Sequence, residues 1–153
     1  MLYVGVIGGA RCTPEVDASA EAVGGELARR GVALVCGGMG GVMEAASRGA
    51  ASAGGLTVGI LPGIERDSAN PHIRVAIPTG LGEARNVLVV RASDGLIAID
   101  GAYGTLSEIA LALQLGRPVV GLDTWELDAP IIRASGPAEA VNLLLNELNV
   151  TGA

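Results

Sequence analysis

The sequence contains neither lysine nor phenylalanine. Its ten basic residues are all arginine, which excludes a Schiff-base or other catalytic lysine and the lysine of an ordinary P-loop. Aromatic side chains are confined to Tyr3, Tyr103 and Trp125, too few for the stacking sheets that read RNA or single strands. One histidine, His72, and two cysteines, Cys12 and Cys36, fall short of a His/Cys zinc site, so no metal site is expected. Two cysteines also give no disulfide framework, which points to a reducing cytoplasm. Positive charge is scarce: ten arginines face sixteen acidic residues, for a net charge of −6. That balance argues against a nucleic-acid coat or a membrane-surface protein, while leaving room for a local basic pocket. No apolar run reaches the roughly 18–20 residues of a spanning helix. Residues 1–7 lack a basic leader and are broken by Gly8-Gly9, so they read as a strand rather than a signal peptide.

What is present is alanine, valine, leucine and glycine in short, evenly spread runs. The length of 153 residues suits one domain, 1–153. Strands are predicted at 3–7, 32–36, 57–61, 74–77, 95–99 and 118–122. Most are apolar throughout rather than alternating, as parallel strands covered on both faces should be. Helical patterns lie between them. Thr13 is an N-cap followed by Pro14 at the first helical position, then an apolar stripe of Val16, Ala20, Val23 and Leu27, with Gly31 beyond the C-terminus. Gly24-Gly25 inside this helix costs of order 1 kcal/mol per glycine, which close packing on the sheet would offset. A last helix starts near Pro137 and carries Val141, Leu144, Leu145 and Leu148 on one stripe. This alternation predicts a single Rossmann-like α/β domain: an open, mostly parallel sheet with helices on both faces. The irregular stretch 62–78 is the longest, and reads as a lid or a subunit contact.

Ligands of such sheets bind at the carboxyl ends of the strands. Four junctions there have unusual composition. Gly8-Gly9-Ala10-Arg11 allows a tight turn and brings one arginine, although a strand-to-helix turn needs glycine in any case. Gly37-Gly38-Met39-Gly40-Gly41 precedes a helix, and its exposed amides at a helix start favour phosphate. Thr79, Gly82, Arg85 and Asn86 lead into a nearly all-apolar helix, so Arg85 and Asn86 most simply face the cleft; surface pairing of Glu83 and Arg85 is the plainer account. Gly101, Tyr103, Gly104 and Thr105 open a further helix and offer a second anion cradle. Glu108 follows one turn on, either as a chemical group or as the partner of Thr105 in a capping box.

Taken together, these motifs resemble the LOG family of "lysine decarboxylase-like" Rossmann proteins. Residues 37–43 resemble its Gly-Gly-Gly-x-x-Gly-Leu-Met loop, and residues 101–108 its Pro-Gly-Gly-x-Gly-Thr-x-x-Glu motif. Arg85 stands where the family's Arg-Lys pair begins. The likeness is greater to a sub-branch of short proteins that includes molybdenum cofactor carrier proteins. For the LOG enzymes the resemblance implies a phosphoribohydrolase that splits a nucleoside 5′-monophosphate to a free base and ribose 5-phosphate. Arg85 and Glu108 would then be the catalytic pair. For the carrier branch it implies a pterin cofactor with a terminal phosphate in the same cleft, bound without turnover. It also implies a homo-oligomer, dimer or tetramer.

The departures favour binding over catalysis. The family's lysine is Asn86, and the proline and second glycine of its second motif are Asp100 and Ala102. The expectation is therefore a binding or carrier protein for a small phosphate-bearing ligand, nucleotide or molybdenum cofactor, with no cofactor required for its own chemistry. Nucleic acid and membrane are not expected as partners. The phosphoribohydrolase is the alternative.

Overall fold

The computed structural model describes residues 1–152, the side chains through residue 149. Seven strands form one sheet: β1 (Tyr3–Gly8), β2 (Ala33–Cys36), β3 (Thr57–Leu61), β4 (Val75–Pro78), β5 (Gly95–Ile99), β6 (Val119–Leu122) and β7 (Ile132–Arg133). Their order is β4-β3-β2-β1-β5-β6-β7, and every pairing is parallel. Five α-helices connect them: α1 (Pro14–Arg29), α2 (Val42–Ser52), α3 (Asn86–Arg91), α4 (Tyr103–Gln114) and α5 (Pro137–Gly152).

The continuous apolar runs are explained by burial on both faces. Val4 and Val6, Leu34 and Cys36, and Ile97 and Ile99 point into a core shared with α1, α2 and α5. The alternate residues Ile7, Val35, Leu96 and Ala98 point into a second core with α3 and α4. Each fully buried valine or leucine is worth roughly 1.5–3 kcal/mol relative to exposure, so both layers hold the sheet. The α1 signals act as read: the Val16 amide donates to Thr13 Oγ1 at 3.2 Å, and Gly31 past the helix end has φ 71°.

Four details differ from the sequence expectation. β7 was not foreseen, because a two-residue strand has no periodicity to read. Gly24 packs against helix α2, not the sheet: a Cβ there would strike the carbonyl of Ala46, and one on Gly49 would strike that of Glu21. Thr105 and Glu108 form no capping box, because α4 begins two residues earlier, at Tyr103, with Ala102 as its N-cap residue. The stretch 62–78 contains a 3-10 turn (Arg66–Ser68) and the edge strand β4, and Asn70 ties it to the glycine loop. The Asn70 amide donates to the Gly38 carbonyl at 2.8 Å, and its Nδ2 donates to the Met39 carbonyl at 2.9 Å. This anchored segment is not built as a free lid. No helix among the described residues is long and apolar enough to cross a membrane.

Candidate functional site

In this topology the chain runs outward from β1 through β2 and β3 to β4, then returns to the other side of β1 as β5. The crossovers therefore diverge at β1 and β5, and a crevice opens outside their carboxyl ends. A cleft of about 290 Å³ lies there. The end of β1 and the turn after it contribute Val6, Ile7, Gly8, Gly9 and Ala10, the loop after β2 contributes Gly37, and α2 contributes Met43. The turn before α3 brings Glu83 and Arg85, and α3 itself brings Asn86. The start of α4 supplies Ala102, Gly104, Thr105 and Glu108.

The cationic wall is Arg85, half-buried in the 3-10 turn Gly82–Arg85. Its Nη1 donates to Asn86 Oδ1 and its Nη2 to the Gly37 carbonyl at 3.4 Å. Its Nε is buried without a partner among the described residues. Gly37 is what admits the guanidinium, since a Cβ at that position would sit 2.5 Å from Arg85 Nη2.

Opposite lies the first turn of α4. The amides of Tyr103, Gly104 and Thr105 precede Leu106, whose N–H is the first to bond within the helix, to the Ala102 carbonyl at 3.1 Å. Such amides, with the positive end of the helix dipole behind them, favour an anion. One turn in, Glu108 is 7% exposed and its carboxylate has no hydrogen-bond partner among the described residues. Burial pushes its pKa from 4.5 up to about 7, against the opposing pull of the Arg85 charge. No direct ion pair joins the two among the described residues. The cleft thus combines an arginine, helix amides outside the intrahelical bonding and a carboxyl group that exchanges its proton near neutrality. That set can hold an anion, and can hold or move a proton beside it.

Of the residues expected at the site, Gly8, Gly9, Gly37, Arg85, Asn86, Gly104, Thr105 and Glu108 come together in the cleft. The others surround it in supporting positions. Gly38 is buried against Leu61 and Gly59, and Gly41 abuts the turn at Gly9-Ala10. Met39 offers its carbonyl to Asn70, and Thr79 Oγ1 donates to the Leu61 carbonyl at 2.7 Å. Gly40 faces the Ala10 carbonyl, and Gly101 lies under the Thr105 side chain. Arg11 and Gly82 are exposed and line no part of the cleft. Tyr103 is 80% exposed and is not among the lining residues, although its neighbours Ala102 and Gly104 are. Sequence reasoning missed Glu83 as a lining residue, giving it surface pairing with Arg85, and no such ion pair forms among the described residues. It also missed Val6, Ile7, Ala10, Met43 and Ala102. The side chains of these last five carry no chemical signal, and only the rule that ligands sit past strand ends marks them. Cys36 is no nucleophile: it is buried, accepts the Gly38 amide at 3.4 Å, and desolvation pushes its thiol pKa up.

Comparison with known proteins places this geometry. A family model described as the SLOG cluster4 family matches residues 1–149. The structure of a molybdenum cofactor binding protein from the phototrophic bacterium Rippkaea orientalis superposes with TM-score 0.90 and 38% identity, over 96% of this chain and 97% of that one. A molybdenum cofactor carrier protein from Chlamydomonas reinhardtii superposes with TM-score 0.86 and 33% identity, over 97% and 98%. An uncharacterized protein of Archaeoglobus fulgidus is 42% identical over 146 residues, 95% of this chain and 96% of its own. A probable cytokinin riboside 5′-monophosphate phosphoribohydrolase of rice (Oryza sativa subsp. japonica) is 34% identical over 94 residues, 60% of this chain and 38% of its own length.

Proposed function

The chain belongs to the SLOG cluster4 family, and on that premise we propose that it binds a small phosphate-bearing ligand, of molybdenum cofactor or nucleotide type, as a carrier or binding protein. The observation that carries this reading is that Arg85 and the helix-start residues Gly104 and Thr105 line one cleft. Two solved structures that superpose over nearly the whole chain, from Rippkaea orientalis and Chlamydomonas reinhardtii, are named for binding or carrying molybdenum cofactor, and that supports the same ligand class. Here the phosphate end would lie between Arg85 and the α4 amides, with Gly8, Gly9 and Gly37 allowing close backbone approach. Mass spectrometry of ligand retained by gently purified protein tests the proposal. Wild type should carry a phosphate-bearing pterin or nucleotide, and Arg85→Ala should lose it. Equal retention by the two would remove Arg85 from the site.

One observation favours a second reading, the phosphoribohydrolase. Arg85 and Glu108 line the same cleft, and cleavage of an N-glycosidic bond builds positive charge that a nearby carboxylate stabilises while it orients water. A hydrolase releases ribose 5-phosphate from AMP or a related nucleotide, and loses that release in Glu108→Gln. Binding without turnover of any common nucleoside monophosphate would leave the carrier reading.

Two further parts of the proposal concern the setting. The free cysteines Cys12 and Cys36 support a reducing, cytoplasmic location. A homo-oligomer, dimer or tetramer, is supported by the exposed Val75 and Ile77 on the edge strand β4 and by Ile64 and Leu81 beyond it. Light scattering on eluted protein measures that state directly, and a monomer at micromolar concentration would refute it.

A further inference from the structure

Two of the three aromatic side chains in this sequence pack against each other, with their rings tilted, beside residues that line the cleft. Tyr103 is the first residue of α4, and its neighbours on either side, Ala102 and Gly104, both line the cleft. Trp125 follows β6 in the chain. The ring centroids are 5.9 Å apart with an interplanar angle of 34°. Trp125 is pinned: its Nε1 donates to the Ala102 carbonyl at 3.0 Å, and its own carbonyl accepts from Arg133 Nη1 at 3.4 Å. Tyr103 rests on this indole, yet it is 80% exposed and its hydroxyl has no partner among the described residues. The result is an exposed aromatic ring, backed on one side by Trp125, on the same turn as the helix amides that favour an anion.

The cleft itself, at about 290 Å³, is at the lower end of the range for small-molecule sites. A ligand with its phosphate between Arg85 and Gly104 must extend its remaining bulk toward the mouth. The geometry points to Tyr103, braced by Trp125, as a stacking platform for the flat heterocycle of that ligand, so that this chain recognises the ring by its face. This rests on the phosphate-binding reading of the cleft. It adds a ring subsite on the β6 side that the glycine loops do not supply. Stacking tolerates many heterocycles, because every flat ring presents a π-face, so this subsite would favour flat rings over sugars without choosing sharply among them.

Trp125 is the sole tryptophan, so its fluorescence reports on this subsite alone. The probes are GMP, whose base carries an aminopyrimidinone ring as pterins do, and ribose 5-phosphate, which has the phosphate and sugar without a ring. GMP should change the Trp125 emission and bind more tightly than ribose 5-phosphate. Tyr103→Ala should weaken GMP roughly tenfold and leave ribose 5-phosphate unchanged, while Tyr103→Phe keeps the GMP affinity. Tyr103 is exposed, so neither variant should unfold the chain, and a circular dichroism melt checks that. Equal affinity for the two probes, or equal weakening of both by Tyr103→Ala, overturns the platform while leaving the phosphate site standing. GMP binding with a fluorescence change but no ribose 5-phosphate binding supports the platform and overturns the phosphate site. Binding of neither probe overturns both.

Discussion

The guanidinium of Arg85 occupies the space that a side chain at Gly37 would need, and its Nη2 donates to the Gly37 carbonyl at 3.4 Å. The glycine loop after β2 thus places a cation brought in by a different part of the chain, forty-eight residues later. Gly37→Ala should displace the guanidinium and weaken ribose 5-phosphate about tenfold. Arg85→Ala removes a charged donor, worth about 1.5–3 kcal/mol, and should weaken it about tenfold to a hundredfold. Titration calorimetry on both variants is the check. An unaffected Gly37→Ala would mean that the arginine is held by Asn86 alone.

Glu108 makes stability depend on pH in a direction opposite to that of an ion-paired carboxylate. Its pKa is raised in the folded state to about 7 from an ordinary 4.5, so the folded chain keeps its proton over a range where the unfolded chain loses it. Its contribution is fully present below about pH 4.5, falls as pH rises through about 7, and is constant above that. The total is about 3 kcal/mol as an upper figure, at about 1.4 kcal/mol per tenfold displacement of the proton equilibrium. Glu108→Gln, which stays neutral, should gain stability relative to wild type between pH 5 and 8. Urea melts of the two proteins across that range measure the difference. A pH-independent difference would place the Glu108 pKa near that of an exposed glutamate.

The same group should couple anion binding to proton uptake. An anion at the α4 amides adds negative charge beside Glu108 and so favours its protonated form. Sulfate is a suitable probe, because it does not itself titrate near neutrality. Its affinity should fall between pH 6 and 8 in wild type and stay nearly flat in Glu108→Gln. Equal slopes would show that sulfate sits away from Glu108.

Much of this was legible before the fold was known. The parallel sheet followed from strands such as 32–36 and 95–99, apolar at every position, and the cleft from motifs at strand ends. Arg85, Gly104, Thr105 and Glu108 carried a chemical signal and converge. What sequence could not show was distance. Gly38 and Gly41 look identical to Gly37 in the loop, yet they pack against Leu61 and Gly9 while Gly37 faces Arg85. The Thr105–Glu108 spacing fits a cap, but α4 starts too early for it, and that start is set by the turn after β5 rather than by a capping side chain. Trp125 had no motif around it, and only the fold brings it to Tyr103.

The glycines of α1 and α2 are a packing device rather than a ligand feature. Gly24 and Gly49 let the two helices approach until each glycine faces the other helix's backbone carbonyl, at Ala46 and Glu21. Backbone cannot swing aside as a side chain can, so an added methyl must push the helices apart. Gly24→Ala and Gly49→Ala should each cost about 1–3 kcal/mol, despite the better helix propensity of alanine. At this size that is a fall in Tm of roughly 2–12 °C. A rise in Tm for either variant would show that the helix pair is looser than this contact implies.

Asn70 is the last element of the site's support, although it touches no part of the cleft. It is 8% exposed, and three hydrogen bonds use its amide, its Nδ2 and its Oδ1, the last accepting from the His72 amide at 3.0 Å. Two of these end on Gly38 and Met39, so the segment before β4 and the loop that places Arg85 are held as one body. Asn70→Ala removes both side-chain bonds and leaves the carbonyl of the half-buried Met39 short of a donor, at a cost of about 1–3 kcal/mol. The loss should be local: amide exchange should speed up over residues 37–41 and 64–74, while the strands of the central sheet stay protected. Ribose 5-phosphate should also bind more weakly, because Gly37 is no longer held in place under the guanidinium. Uniform exchange across the sheet, or unchanged exchange in the glycine loop, would show that the two segments are held independently.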